Sequence, residues 1–195
     1  MSRTPNFEAR ENILKAAFAL IHERGFKGVS MDDIASASGI KKANLFHYYP
    51  SKEALGLAVF DRASSKMREK VEGQFAKGKD PIRLVEAMFS EVMGADDRRN
   101  GCFMGNLAHE LGDRYEKLRL KVAEHFRCWE DQLAAVLEDG RCCGYFRKDL
   151  KPKESAEAIL SLFEGATLFC KTTRETKPLA NAKDMAVGYL KGFKK

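Results

Sequence analysis

Residues 26–53 read FKGVSMDDIASASGIKKANLFHYYPSKE, and this stretch decides the fold. Ser30 can cap a helix, because its hydroxyl can accept a hydrogen bond from a backbone N–H of the first turn. The acidic pair Asp32 and Asp33 suits the positive end of the helix dipole. Gly39 can adopt the left-handed conformation that ends a helix. The pattern predicts a short helix followed by a sharp change of direction.

A second short helix is predicted after this turn. Ile40 is expected to fill the turn, and Leu45 and Phe46 are expected to anchor the helix inward. Two short helices at a steep angle form a helix-turn-helix, whose second helix reads the major groove of DNA. The side chains expected to open this helix or face outward from it are Lys41, Lys42, Asn44, His47 and Tyr48.

Composition fits a globular protein with a sizeable core. The 195 residues are 44% hydrophobic, which suits one or two domains. The formal net charge of +6 permits binding to DNA phosphates without requiring it. No run approaches the roughly 20 apolar residues of a membrane span, and the start of the chain lacks a signal peptide's apolar core. We therefore expect a cytoplasmic protein without a membrane partner.

Helical periodicity predicts an all-α fold, because apolar residues recur at helical spacing and no convincing alternating strand appears. We expect a helix-turn-helix DNA-binding domain at residues 1–50 and a helical effector-binding and dimerisation domain at 51–195. Besides the two short helices, the predicted helices are 6–24, 51–75, 82–93, 102–111, 114–139, 153–173 and 179–193, with a loop at 140–150.

The helix predicted at 153–173 is apolar around most of its circumference, which suggests that it is covered on two sides. One interpretation is self-association through this helix and the last one. The other is a central core helix covered within a single subunit. The first interpretation assigns dimerisation to Ile159, Phe163, Ala166, Cys170 and Leu190.

The order of these parts resembles the TetR family of bacterial repressors, strongly over about the first 60 residues and by length and helical character beyond them. The resemblance implies a homodimer whose paired reading helices enter successive major grooves of a palindromic, double-stranded operator. It also implies a separate helical domain for a small-molecule effector. The residues that carry it are Ile13, Ala17, Phe18, Leu20, Gly25, Phe26, Val29, Ser30, Ile34, Ala35, Gly39, Ile40, Leu45, Phe46, Tyr48, Tyr49, Ser51, Lys52, Glu53 and Leu55.

The resemblance also implies DNA contacts. Lys42 can reach guanine and Asn44 can pair with adenine. Asn44, Phe46 and Tyr49 depart from the commonest family residues, so the operator sequence does not follow. Arg3 is either a further contact or part of a disordered tail. The implied phosphate contacts are Ser30, Tyr48 and Lys52, and the residues at or beside base-reading positions are Lys41, Lys42, Ala43, Asn44 and His47.

Residues 101–111 read GCFMGNLAHEL and form a second informative segment. They resemble the subgroup of the TetR family that includes the NemR and AcuR repressors, in which a Gly-Cys pair begins the short helix at the effector pocket. A cysteine at a helix start feels the positive end of the dipole, which lowers its pKa. Cys102 is therefore a candidate sensor for an electrophile or oxidant. The alternative is a small apolar filler.

The middle helices can enclose an apolar effector pocket, with Asn106 and His109 as candidate polar anchors. A plain hydrophobic core is the alternative for every lining residue. The candidate lining consists of Met88, Val92, Phe103, Met104, Leu107, Phe126, Trp129 and Phe163.

A thiol enzyme and a non-DNA-binding helical adaptor are the rival classes. Cys102 and His109 lie near one helical face but about two turns apart, too far for direct proton transfer, so no enzyme is expected. No Cys or His spacing suggests a metal site, and no cofactor is expected.

The remaining cysteines carry weaker signals. Cys142 and Cys143 are predicted in a loop, as a plain exposed turn, a vicinal disulfide or a soft-metal site. Cys128 and Cys170 fall on helical faces beside aromatic residues and are expected to fill the core.

Overall fold

A computed structural model describes residues 7–75, 80–94, 100–111 and 113–195. Within these ranges the chain forms helices and an isolated β-bridge between Phe146 and Lys194, but no strand. The all-α prediction is confirmed. The described helices are α1 (Phe7–Arg24), α2 (Met31–Ser38), α3 (Lys42–Tyr48), α4 (Lys52–Phe75), α5 (Pro81–Gly94), α6 (Phe103–Glu110), α7 (Glu116–Cys142), α8 (Pro152–Thr173) and α9 (Lys177–Lys191), with a 3-10 helix at Asp113–Tyr115.

Most predicted helix ends differ from the structure by one or two residues, and two of the differences have a local explanation. α7 continues to Cys142, so the loop expected from Gly140 begins later. The chain leaves the helix where Gly144 adopts a φ of 82°, a left-handed conformation that glycine tolerates. α9 begins at Lys177, earlier than predicted, because Pro178 lies in the first helical turn, where its missing N–H breaks no helical hydrogen bond.

The chain divides into two compact units. The first unit consists of Met1–Lys70 with Asn106–Val122, and the second of Val71–Gly105 with Ala123–Lys195. α4, α6 and α7 therefore contribute residues to both units. The functional boundary after residue 50 stays a prediction, because the first unit also contains most of α4 and the end of α6.

The first unit packs α1 on α2 and α2 on α3. Each helix contributes a fully buried side chain: Ile13 from α1, Ile34 from α2 and Leu45 from α3. The prediction that Phe46 points inward is wrong: its side chain is 41% exposed, and the buried aromatic residue is Tyr49. Leu45 and Tyr49 are four positions apart and share a helical face, whereas Phe46 is rotated by about 100° from Leu45.

Aromatic side chains from α5, α7 and α8 form the centre of the second unit. The rings of Phe89 and Trp129 each pack edge-on against Phe163, with ring centroids 5.3 Å apart in both pairs. α9 packs on both α5 and α8. These contacts make α8 a core helix within its own unit.

The residues assigned to dimerisation lie inside this core. None is more than 7% exposed, because the other helices of the second unit cover them. In the single chain they offer little surface to a second copy, and their assignment to dimerisation stays a prediction; the residues are Ile159, Phe163, Ala166, Cys170 and Leu190. α8 and α9 expose a different apolar set, which consists of Leu168, Phe169, Met185 and Tyr189.

All five cysteines are free thiols. Cys170 is buried as predicted, but Cys128 is exposed, since it lies one position before the buried Trp129 and faces another side of α7. Cys142 belongs to the end of α7 instead of a loop. Among the described residues, no cluster of His, Cys, Asp or Glu could hold a metal ion, and no helix is long and apolar enough to cross a membrane.

Candidate functional site

Ser30 and Asp33 fix the start of α2. The Ser30 hydroxyl accepts the backbone N–H of Asp33 at 3.1 Å, and the Asp33 carboxylate accepts the backbone N–H of Ser30 at 2.7 Å. These reciprocal bonds form a capping box, which confirms the predicted helix start. Hydrogen bonds from Ser30 lower the pKa of Asp33. The Ser30 hydroxyl also donates to Asp33, so its proton is already engaged.

Gly39 turns the chain from α2 toward α3. Its φ is 71°, and its N–H bonds to the carbonyls of Ala35 and Ser36. A Cβ at this position would meet no atom within 4 Å, so the left-handed backbone, and not crowding, explains the glycine. The predicted end of α2 is confirmed.

α3 presents an exposed polar face, while Leu45 anchors its other side. Phe46 belongs to the exposed face, although sequence reasoning placed it in the core. Tyr48 is half-buried, and its ring packs edge-on against His47 with centroids 6.1 Å apart. The exposed residues at the start of and along this helix are Lys41, Lys42, Ala43, Asn44, Phe46 and His47.

Lys42 has a partner on α2. Its Nζ lies 2.8 Å and 2.9 Å from the two carboxylate oxygens of Asp32, and both side chains are largely exposed. An exposed ion pair contributes little stability, so Lys42 can exchange Asp32 for another acceptor at small cost.

Arg10 fixes the end of α3 against α1. Its Nε donates to the Tyr49 hydroxyl at 3.2 Å, and its guanidinium lies 5.9 Å from the centre of the Tyr49 ring. Because Tyr49 directly follows α3 and is buried, this contact orients the whole short helix.

Lys52 is turned inward. Its Nζ donates to the carbonyl of Lys27 at 3.3 Å and lies 4.9 Å from the centre of the Phe26 ring. Partial burial lowers the pKa of Lys52. The neighbouring Ser51 caps α4 by accepting the N–H of Ala54 at 3.1 Å, as expected. A phosphate contact by Lys52 would replace these internal contacts and stays a prediction.

Glu110 contacts the loop between α1 and α2 within the first unit. One carboxylate oxygen accepts the backbone N–H of Lys27 at 2.8 Å. The carboxylate also occupies the space that a Cβ on Gly25 would need, and Gly25 has a φ of 81°. Sequence reasoning missed Glu110, because a glycine gives no indication of which distant residue approaches it.

Cys102 lies directly before α6, beside the half-buried acid Glu164. Its thiol is hydrogen-bonded to the carboxylate of Glu164, and its Sγ accepts the N–H of Gly105 at 3.5 Å. Burial and the charge of Glu164 raise the pKa of Cys102. The prediction that the helix start lowers this pKa is therefore wrong, because desolvation and a nearby negative charge outweigh the helix dipole.

The other predicted effector-site residues are divided between the units. Trp129 and Phe163 pack edge-on in the second unit, and Phe126 packs against the same apolar cluster. Phe103 and Met104 are buried in the second unit. Leu107, Asn106 and His109 belong to the first unit. The side chain of Val92 and the whole of Arg3 lie outside the described residues.

The capped α2, the glycine turn and the exposed face of α3 define a helix-turn-helix DNA-binding protein with a second helical unit. Residues 13–59 match the family model "Bacterial regulatory proteins, tetR family", and residues 78–186 match "Tetracyclin repressor-like, C-terminal domain". The chain belongs to the TetR family of DNA-binding transcriptional regulators.

Relatives in this family match nearly the whole chain. The regulator AcuR of Cereibacter sphaeroides is 27% identical over 88% of this chain and 80% of its own length. The repressor DhaR of Mycobacterium sp. strain GP1 is 26% identical over 92% of this chain and 89% of its own length. The repressor NemR of Escherichia coli K12 is 26% identical over 93% of this chain and 94% of its own length. These matches give no support to the thiol-enzyme or adaptor interpretations.

Solved structures share the fold. A TetR regulator from Chloroflexus aurantiacus has a TM-score of 0.82 at 27% identity, with 94% of each chain covered. A TetR-family regulator from Cytophaga hutchinsonii has a TM-score of 0.87 at 20% identity, covering 100% of this chain and 98% of its own. The predicted resemblance to the TetR family is confirmed.

Proposed function

We propose that this regulator is a homodimeric repressor that binds a palindromic operator through α3 and leaves it when an effector binds the second unit. The observation that carries the proposal is the exposed face of α3, held in place by Leu45 and by the Arg10–Tyr49 contact. DhaR and NemR are named repressors, which favours repression over activation. A cytoplasmic location, where bacterial DNA lies, is part of the proposal.

The base-reading residues in this proposal are Lys42, Asn44, Phe46 and His47. Lysine suits guanine and asparagine suits adenine, because their donors and acceptors match the major-groove edges of those bases. Lys41 and Tyr48 would contact phosphates, which position the protein without reading sequence. Ser30 and Lys52 can join them only by giving up the internal hydrogen bonds described above.

Selection from random double-stranded DNA tests the proposal. We expect the wild-type protein to enrich a palindrome whose half-site centres lie about one helical turn apart. Changing Lys42 and Asn44 together to Ala should abolish enrichment without unfolding the chain. Lys191→Ala, which changes an exposed lysine at the end of α9, is the matched control and should enrich the same palindrome. Failure of the wild type to enrich any sequence would refute specific DNA reading.

Dimerisation is proposed through the exposed apolar residues of α8 and α9. Phe169 and Met185 are 63% and 68% exposed, unusually high values for large apolar side chains. Sedimentation of Phe169→Glu should show monomers at concentrations where the wild type is dimeric. Phe7→Glu is the control, since Phe7 is an exposed phenylalanine on α1 and its change should leave the dimer intact. A dimer that survives Phe169→Glu unchanged would place the interface elsewhere.

We further propose that Glu110 passes the effector signal to the reading unit. α6 begins in the second unit and ends in the first, where Glu110 holds the Lys27 amide. Glu110→Ala should speed hydrogen exchange at that amide and weaken operator binding by about fivefold, the loss expected for one hydrogen bond. Glu23→Ala, at an exposed position on α1, should change neither quantity. Unchanged exchange and affinity in Glu110→Ala would exclude this route.

A thiol-reactive effector, the sensor role expected for Cys102 from the sequence, is the second candidate, and it would require reaction at a thiol whose pKa is raised. If it is correct, N-ethylmaleimide should release the wild-type protein from its operator and should not release Cys102→Ser. Release that persists in Cys102→Ser would assign Cys102 a packing role.

A further inference from the structure

The start of α6 contains a half-buried polar pair, Cys102 and Glu164, whose hydrogen bonding is incomplete. The Cys102 thiol is hydrogen-bonded to the carboxylate of Glu164, and its sulfur accepts the N–H of Gly105 at 3.5 Å. One carboxylate oxygen of Glu164, Oε1, is buried and has no hydrogen-bond partner among the residues that the structure describes. Buried polar atoms are nearly always satisfied, so this oxygen calls for a partner.

The geometry around Glu164 is restrictive. A Cβ on Gly105 would overlap Oε2 of Glu164, so the glycine allows the carboxylate to approach α6 closely. Cys102 hydrogen-bonds the carboxylate, and its own sulfur is held by the N–H of Gly105, so the carboxylate is oriented. Such an oriented acceptor is suited to binding a donor from outside the chain.

The charge of the site favours one class of donor. Burial raises the pKa of Glu164, and the hydrogen bond from Cys102 offsets this effect only in part. The residue before Glu164 is Phe163, whose ring packs against Trp129 in the apolar core. A cationic N–H group would supply both a hydrogen bond and a counter-charge, whereas a hydroxyl would supply only the bond. An anion would be repelled.

We propose that Glu164 anchors the effector, and that the effector presents a protonated nitrogen, such as an ammonium or amidinium group, to Oε1. The apolar part of the effector would lie among the neighbouring aromatic and methionine side chains of the second unit. This inference rests on the proposed function only in taking the second unit as the effector-binding unit. It gives Cys102 the role of orienting Glu164, without chemistry at its sulfur.

Three small probes of similar size test the proposal: benzylammonium, benzyl alcohol and phenylacetate. Trp129 is the only tryptophan of the chain and packs on Phe163, next to Glu164, so its fluorescence reports binding. We expect benzylammonium to bind the wild type at least about tenfold more tightly than either other probe, as charge-assisted hydrogen bonds are the stronger kind. Equal affinities, or no saturable binding of benzylammonium, would overturn the proposal.

Variants test whether Glu164 causes the preference for benzylammonium. Glu164→Gln should erase it, whereas Glu157→Gln, an exposed position on the same helix, should retain it. Cys102→Ser should also retain it, because a serine hydroxyl can still donate to Glu164. A preference that persists in a folded Glu164→Gln protein would overturn the assignment to Glu164. If that variant does not fold, the wild-type ranking of the three probes still decides.

Operator binding measured on the same wild-type protein separates this inference from the proposed function. A protein that binds its operator but shows no preference for benzylammonium would refute the anchor alone. A protein that prefers benzylammonium but enriches no DNA sequence would refute the repressor and leave the anchor standing.

Discussion

The acidic groups near α3 and those at the start of α6 have pKa values shifted in opposite directions. Near α3, Asp33 is partly exposed and hydrogen-bonded to Ser30, and these hydrogen bonds lower its pKa. At the start of α6, Cys102 and Glu164 are in contact and half-buried, and burial raises the pKa of both. In the first arrangement Ser30 and Asp33 satisfy each other's hydrogen bonds without an external partner. The start of α2 can therefore meet DNA as a rigid surface. In the second, Oε1 of Glu164 has no hydrogen-bond partner among the described residues, and the proposed effector would supply one.

The rigidity of the first region can be tested at two glycines with similar backbone angles. Gly25→Ala places an alanine at a φ of 81° and Gly39→Ala places one at 71°. Either change should lower the free energy of unfolding by about 1–2 kcal/mol. Only Gly25→Ala also displaces Glu110 and its hydrogen bond to Lys27, which adds about 1 kcal/mol. Urea unfolding should therefore rank Gly25→Ala as the less stable variant. Equal losses would show that the Glu110 contact contributes nothing.

The buried state of the second region can be tested by alkylation of Cys102. At pH 7.5 its raised pKa leaves less thiolate than an ordinary cysteine has, so iodoacetamide should label it at least about tenfold more slowly than exposed Cys128. The rate at Cys102 should keep rising with pH beyond the range in which ordinary thiols have ionised. Glu164→Gln removes the negative charge and should accelerate labelling, as read by peptide mass spectrometry. Fast labelling of the wild type at neutral pH would contradict this description of the pair.

The exposed face of α3 can be tested through Phe46. An apolar side chain on a groove-reading helix can contact the methyl group of thymine, a contact worth about 1 kcal/mol or fivefold in affinity. Replacing each thymine of the operator in turn by uracil should weaken wild-type binding at one position per half-site. Phe46→Ala should bind the thymine and uracil operators equally. If every uracil operator binds as well as the original, Phe46 does not read thymine.

The capping box gives a small effect with a defined pH dependence. The folded state lowers the pKa of Asp33, so its stabilising contribution is complete above the ordinary range of an aspartate and is lost as pH falls through the lowered value. Wild type should be slightly more stable than Asp33→Asn at pH 7, and the difference should shrink toward zero in acid. Thermal unfolding at several pH values measures it. A difference that grows as pH falls would contradict the sign.

Local signals explain what could be predicted from the sequence. Ser30, Gly39 and Ser51 act on backbone atoms within a few residues, so their caps and turn follow from residue type and spacing. Phe46 could not be placed in the same way, because the core of a short helix is decided by packing against α1 and α2, and Tyr49 takes the inward position.

Contacts between distant parts of the chain were beyond the sequence pattern. The helix-dipole argument at Cys102 is sound locally, but it omits burial of the thiol and the charge of Glu164, which lies far along the chain; together they raise the pKa. The apolar circumference of α8 indicated coverage on two sides, yet it could not distinguish a second subunit from the other helices of the same unit.

Quantitative footprinting on the DNA upstream of its own gene tests the proposed DNA reading most directly. The wild-type protein should protect a palindrome of two half-sites, with affinity that falls steeply as salt rises, and Asn44→Ala should lose this protection while remaining folded. Contradiction would come from a protein that protects no site there, or from an Asn44→Ala variant whose footprint and salt dependence match the wild type.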